Sequence, residues 1–335
     1  MDFLNHRFWR QYFAHLIHSW RGKVLVCVLC FTIFPAAAES SAPDKQNVFF
    51  LSGKATSDYV EIVDTIKSQL EAQFPSRYHF TEYYQNQAVT VGAELLDASV
   101  IVTVGTAAAE AAYSRQPAVP ILSVLITESA FVSAATKYYG SVENAFSQKV
   151  SAISLNQPTL RSIKLAKLLV PSAETIGVML GPASLSARSD LNDKIVEHEL
   201  SPNFVGIGQN DNPINKLEPV FRQCDVFVPL PDSRLINVAT AKWILHLSYR
   251  YKVPVIAFSK AYLRAGALTA IYSSPENVAM QSVDWVSGEE QNNRSGRLFS
   301  PTYFSINFNY SVAAHLGIML EDTSFYAEKL YPGGT

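Results

Sequence analysis

The chain has 335 residues, of which 48% are hydrophobic and 17% charged, with a formal net charge of −2. That composition excludes a disordered chain and leaves room for two domains of ordinary size. The slightly acidic balance excludes general nucleic-acid binding, which needs a basic patch.

Arg7, Arg10, Arg21 and Lys23 precede an apolar run from Val24 to Phe34, followed by Pro35-Ala36-Ala37-Ala38-Glu39. A basic stretch, a short apolar stretch and an Ala-x-Ala end make a secretory signal. Cleavage is expected after Ala38, which gives a secreted chain. The apolar run is about half the ~20 residues needed to span a bilayer; an uncleaved anchor is the alternative. Removing the leader's four basic residues and one acidic residue leaves a net charge of −5. It also leaves Cys224 as the single cysteine, so no disulfide framework exists. Cys224 is expected to pack at a helix end rather than to react.

The remaining chain alternates strand-like and helix-like segments. Val48–Leu51 is a short apolar strand ending in Ser52-Gly53. Val60, Val63, Ile66, Leu70 and Phe74 recur at spacings of three and four, which predicts an amphipathic helix over 59–74, stopped by Pro75. Tyr78–Tyr84 is a second strand, and a helical piece leads to a buried strand at Ala98–Val104. Gly105-Thr106 opens an alanine-rich helix over 107–113, and Val119–Ile126 is the next strand. These units make one βα-repeated lobe.

A second series begins after about Val150. Helices are predicted over 158–169, 185–200 and 214–221, and strands over 175–180, 203–208 and 225–229. A long helix through Trp243 to Tyr249 is expected to be capped by Asp232 or Ser233. His246 falls on its apolar periodicity and is read as packed or capped. Val253–Phe258 is a buried strand that ends the second sheet, Ser259–Ala265 a polar connection crossing between lobes, and Gly266–Tyr272 a strand returning to the first sheet.

Strand ends carry the candidate ligand contacts. Ser52-Gly53, Gly105-Thr106, Ser184 and Pro231-Asp232-Ser233 each stand where a strand gives way to a helix. Helix starts expose unpaired N–H groups and partial positive charge, which suit anions. The alternative is that each of these residues only caps its own helix.

In order along the chain, Ile101–Glu110 with Val119–Val124, Gln157–Leu180, Asp225–Tyr272 and Phe304–Gly317 resemble the ABC-transporter substrate-binding protein family that has a type I periplasmic-binding-protein fold. That family includes members that bind aromatic amino acids. The resemblance covers most of the chain after the leader. It implies an α/β fold of two Rossmann-like lobes, each a parallel sheet flanked by helices, joined by a hinge. The expected boundaries are 1–38 signal peptide, 39–150 first lobe, 151–260 second lobe, 261–300 return to the first lobe, and 301–335 hinge strand and C-terminal helix.

Three departures fall near the expected cleft. Thr127-Glu128-Ser129 stands where the family has Thr/Ser-Asp-Pro, and Ser184-Leu-Ser186-Ala-Arg188 where it often has Ser-Glu-x-Asn. Ile271-Tyr272-Ser273-Ser274 replaces a usual glycine. The fold therefore carries over better than the ligand. Thr106, Thr127, Ser129, Asp232 and Ser233 are expected to hold a solute's polar end, with Phe258 and Tyr272 flanking an apolar part. Glu128 suits an amino-bearing ligand or faces solvent, and Arg188 pairs with a carboxylate or lies on a solvated helix surface. The implied function is a monomeric periplasmic solute-binding protein that delivers a small organic solute to an ABC permease. It needs no catalytic residue, metal or cofactor. A sensor presenting its bound state to a membrane receptor is one alternative. An enzyme on the same scaffold is another, although His79, His198, His246 and His315 fall in no catalytic or metal-ligand motif.

Overall fold

Buried apolar runs and amphipathic helices assemble into two layered α/β lobes in the computed structural model. It describes residues 45–84, 97–182, 184–208, 211–232, 236–288 and 296–331. The expected leader, the helix before Ala98 and Ser233 lie outside the described residues.

The first lobe is built on a six-stranded sheet in the order β11-β5-β4-β3-β1-β2. Its strands are β1 (Gln46–Ser52), β2 (Tyr78–Tyr84), β3 (Val100–Val104), β4 (Ile121–Ile126), β5 (Val150–Ser154) and β11 (Leu298–Phe299), all paired in parallel. β3 and β5 are buried at every position, as expected of a parallel sheet covered on both faces. One face packs α1 (Ser57–Gln73), with Ile62, Val63, Ile66 and Leu70 buried. α2 (Thr106–Tyr113), α3 (Glu128–Tyr139) and α4 (Val142–Ser147) cover the other.

The second lobe contains β6 (Thr175–Leu180), β7 (Ser201–Gly206) and β8 (Val226–Pro229) in the order β7-β6-β8. A bridge from Phe227 to Val255 joins β8 to β9 (Ile256–Ala257). β10 (Thr269–Tyr272) follows in parallel and β12 (Ser305–Phe308) closes the edge antiparallel. Its helices are α5 (Thr159–Leu169), α6 (Arg188–Val196), α7 (Pro213–Phe221), α8 (Val238–Tyr251), α9 (Lys260–Ala265), α11 (Tyr310–Leu316) and α12 (Thr323–Leu330). α10 (Pro275–Ser287) instead buries Val278, Ala279, Val283, Trp285 and Val286 in the first lobe's core, beside residues of α1.

Several expectations change. β5 extends the first sheet, so Ser151–Ser154 belongs with the first lobe. β10 pairs with β9 and β12, so Gly266–Tyr272 stays in the second lobe. Ser259–Ala265 is no crossing: Ser259 accepts from the Tyr262 N–H and caps α9. The chain instead crosses between lobes at 155–158, 273–274 and 300–304. α8 is capped by Asn237, which accepts from the Thr240 N–H, rather than by Asp232. His246 is exposed and meets the Trp243 ring edge-on at 5.6 Å. Cys224 does pack at a helix end, against Gly177 and Phe227.

Candidate functional site

Strands in both sheets point their C-terminal ends towards the crossing segments, and two hollows open there. The narrower, of about 370 Å³, takes Leu125 and Thr127 from the end of β4, Leu155–Gln157 from the first crossing, and Val228–Pro231, Phe258–Lys260 and Ile271–Ser273 from the ends of β8, β9 and β10. The wider, of about 960 Å³, lies between α3 and the 3₁₀ turn Leu185–Ala187. Asn156, Gln157, Thr159, Leu230 and Pro231 line both hollows.

Local rules place these side chains. Gln157 precedes Pro158, which disfavours helix at that position and keeps the crossing extended. Leu125 occupies the left-handed region at φ 51°, where the β4–β5 register shifts between Ser123 and Ile126. A bulge of this kind re-aims a side chain, and Leu125 lines the narrow hollow.

Hydrogen bonds already engage part of the polar lining. Asn156 Oδ1 accepts from the Glu128 N–H at 3.0 Å. Gln157 is used at both ends, donating to Ser273 Oγ at 2.8 Å and accepting from Arg161 at 2.7 Å. Arg161 is only 6% exposed. It also donates to Pro301 O at 2.8 Å and lies 4.2 Å from the centre of the Phe304 ring. Burial lowers its pKa. Its network joins all three crossing segments. The Tyr272 hydroxyl donates to Asn307 Oδ1. Its pKa is raised by burial, with Arg264 pulling the other way.

Thr127, Phe258 and Tyr272 line the narrow hollow, and Glu128, Ser129, Ser184 and Ser186 the wide one. Ser52, Gly53, Gly105 and Thr106 line neither. Ser52 is fully buried. Gly105 sits at φ 91°, and a Cβ there would lie 2.4 Å from the Tyr59 hydroxyl, so tight packing explains this glycine. Asp232 is 2% exposed and accepts from the Ser184 N–H at 3.2 Å and its hydroxyl at 3.1 Å. Its carboxylate thus fills the crevice between the β6 and β8 loops and lines neither hollow. Arg188 is exposed and lies over the Phe204 ring at 5.2 Å. Sequence reasoning missed Leu125, Asn156, Gln157 and Lys260. The polar pair before Pro158 was a usable signal; the bulge at Leu125 left none.

No family model matches the chain, and no curated protein matches it by sequence. Solved structures do match in fold. A ligand-free, open substrate-binding protein with adhesive properties from Clostridium difficile is 17% identical with a TM-score of 0.61, covering 83% of this chain and 96% of its own. An ABC domain in complex with L-Trp from Streptococcus pneumonia is 15% identical with a TM-score of 0.51, covering 84% and 97%. A conserved domain protein from Vibrio cholerae is 17% identical with a TM-score of 0.51, covering 84% and 97%. Identities this low speak for architecture alone, and on that ground the chain has the type I periplasmic-binding-protein fold.

Proposed function

We propose that this chain is a periplasmic solute-binding protein of an ABC-type uptake system. It is exported by its N-terminal signal and cut after Ala38. A small organic solute enters between the lobes, which close by bending at the three crossing segments, and the closed form docks on a membrane permease. The observation that carries this reading is the shared lining: residues from both sheets and from the first crossing surround the same narrow hollow. Its volume, about 370 Å³, lies within the range of small-molecule sites.

The histidines lie away from both hollows. His79, His246 and His315 are exposed, and His198 Nδ1 sits 3.0 Å from the Lys194 carbonyl oxygen. None lines either hollow.

A thermal-shift screen of the purified protein against amino acids, carboxylates, sugars and short peptides tests the proposal. A ligand of the folded state stabilises it by mass action, by about 2.7 kcal/mol at one hundred times its Kd, and so raises the melting temperature. At least one solute is expected to do so. No stabilisation across the panel, together with turnover of any member, sinks the reading.

A further inference from the structure

Resting on that reading, we infer that the narrow hollow takes an apolar monocarboxylate with no ammonium group. Its apolar walls are Leu125, Leu155, Leu230, Phe258, Ile271 and Tyr272. They come from both lobes, so an apolar body would be enclosed on closure and gain from leaving water. At roughly 30 Å³ per water-sized group, about 370 Å³ holds about a dozen such groups. That is the size of one ring or branched chain with a short acidic tail.

The polar lining selects the charge. Lys260 is the one charged residue among the described residues that line the narrow hollow. It is exposed and, like most of the described lysines and arginines, makes no ion pair among the described residues, so its charge is available to a ligand. Asn156 has its oxygen occupied by Glu128 N–H, which leaves its Nδ2 donors available. The Thr159 and Ser162 hydroxyls complete a set of groups able to donate. Such a set matches a carboxylate, which accepts only.

An ammonium would find no acidic partner in the same lining. Asp232 is committed to Ser184, and Glu128 lines the wide hollow. A buried cation without a counter-charge is costly, so the amino acid counterpart of a good ligand binds poorly.

Isothermal titration of the purified protein with 3-phenylpropanoate, 4-methylpentanoate, 3-phenylpropanamide and phenylalanine tests this. At least one carboxylate is expected to bind, and phenylpropanoate at least tenfold more tightly than its amide or phenylalanine if it is the one. Lys260→Met should weaken carboxylate binding roughly tenfold and leave the melting temperature of the free protein unchanged. Phenylalanine binding more tightly than phenylpropanoate, with Glu128→Gln removing the preference, overturns the ligand class and leaves the solute-binding reading standing. Failure of both carboxylates also overturns the class. The wider thermal-shift panel separately decides the solute-binding reading.

Discussion

At single positions, packing decides more than chemistry. Gly177 on β6 shows this: a Cβ there would meet the Phe227 ring at 2.8 Å and Cys224 Sγ at 2.9 Å. Gly177→Ala is therefore an overpacking change expected to cost about 1–3 kcal/mol, measurable by urea unfolding. The thiol it would strike is buried. Burial raises the Cys224 pKa to about 12, against about 8.5 for a free cysteine. The native protein is expected to resist a disulfide reagent at pH 8 and to label fully in denaturant; rapid native labelling would contradict this. An acid whose folded pKa is raised favours folding least at high pH. From this group, stability is complete below about pH 8.5 and declines between there and about pH 12. Gly105 and Asp232 belong to the same scale. Both read in sequence as strand-end ligand contacts, yet one makes room for Tyr59 and the other holds Ser184. A sequence names the polar atom at a strand end but not the neighbour that uses it.

Among elements, the crossings matter most. Arg161 on α5 is buried and bonded to Gln157, Pro301 and Thr302, and Gln157 in turn to Ser273. The bonds that Arg161 donates are charge-assisted, to carbonyl oxygens and shielded from water, and each is worth about 1.5–3 kcal/mol; the Gln157–Ser273 bond is a neutral one. Arg161→Met should lower stability by about 2–4 kcal/mol, summing lost bonds against retained packing on Phe304. Arg161→Lys should lose nearly as much, because an ammonium cannot reproduce the guanidinium fork. Equal stability of either variant with the parent in chemical denaturation would refute the network's role. Most elements were legible in sequence: the bounds read for α1, α5, β2 and β6 lie within two residues of those observed. α9 was not, because six residues with a polar start look like a loop until Ser259 is seen capping them.

Over the whole molecule, the proposed function expects the lobes to move relative to one another about the three crossings when a ligand binds. Small-angle scattering is expected to show a smaller radius of gyration once a ligand identified by thermal shift is added, and the change should vanish in a variant that no longer binds. Sequence by itself determined the α/β class, the alternation of strands with helices, and the resemblance that implied two lobes. Apolar period and Gly/Pro punctuation are local, so a linear reading captures them. Only the tertiary structure decided which sheet owns β5 and β10, where the chain crosses, and which strand ends face the cleft. Strand pairing is a contact between residues distant in sequence: β10 pairs with β12 across more than thirty residues. The bulge that turns Leu125 into the narrow hollow likewise depends on its register with β5.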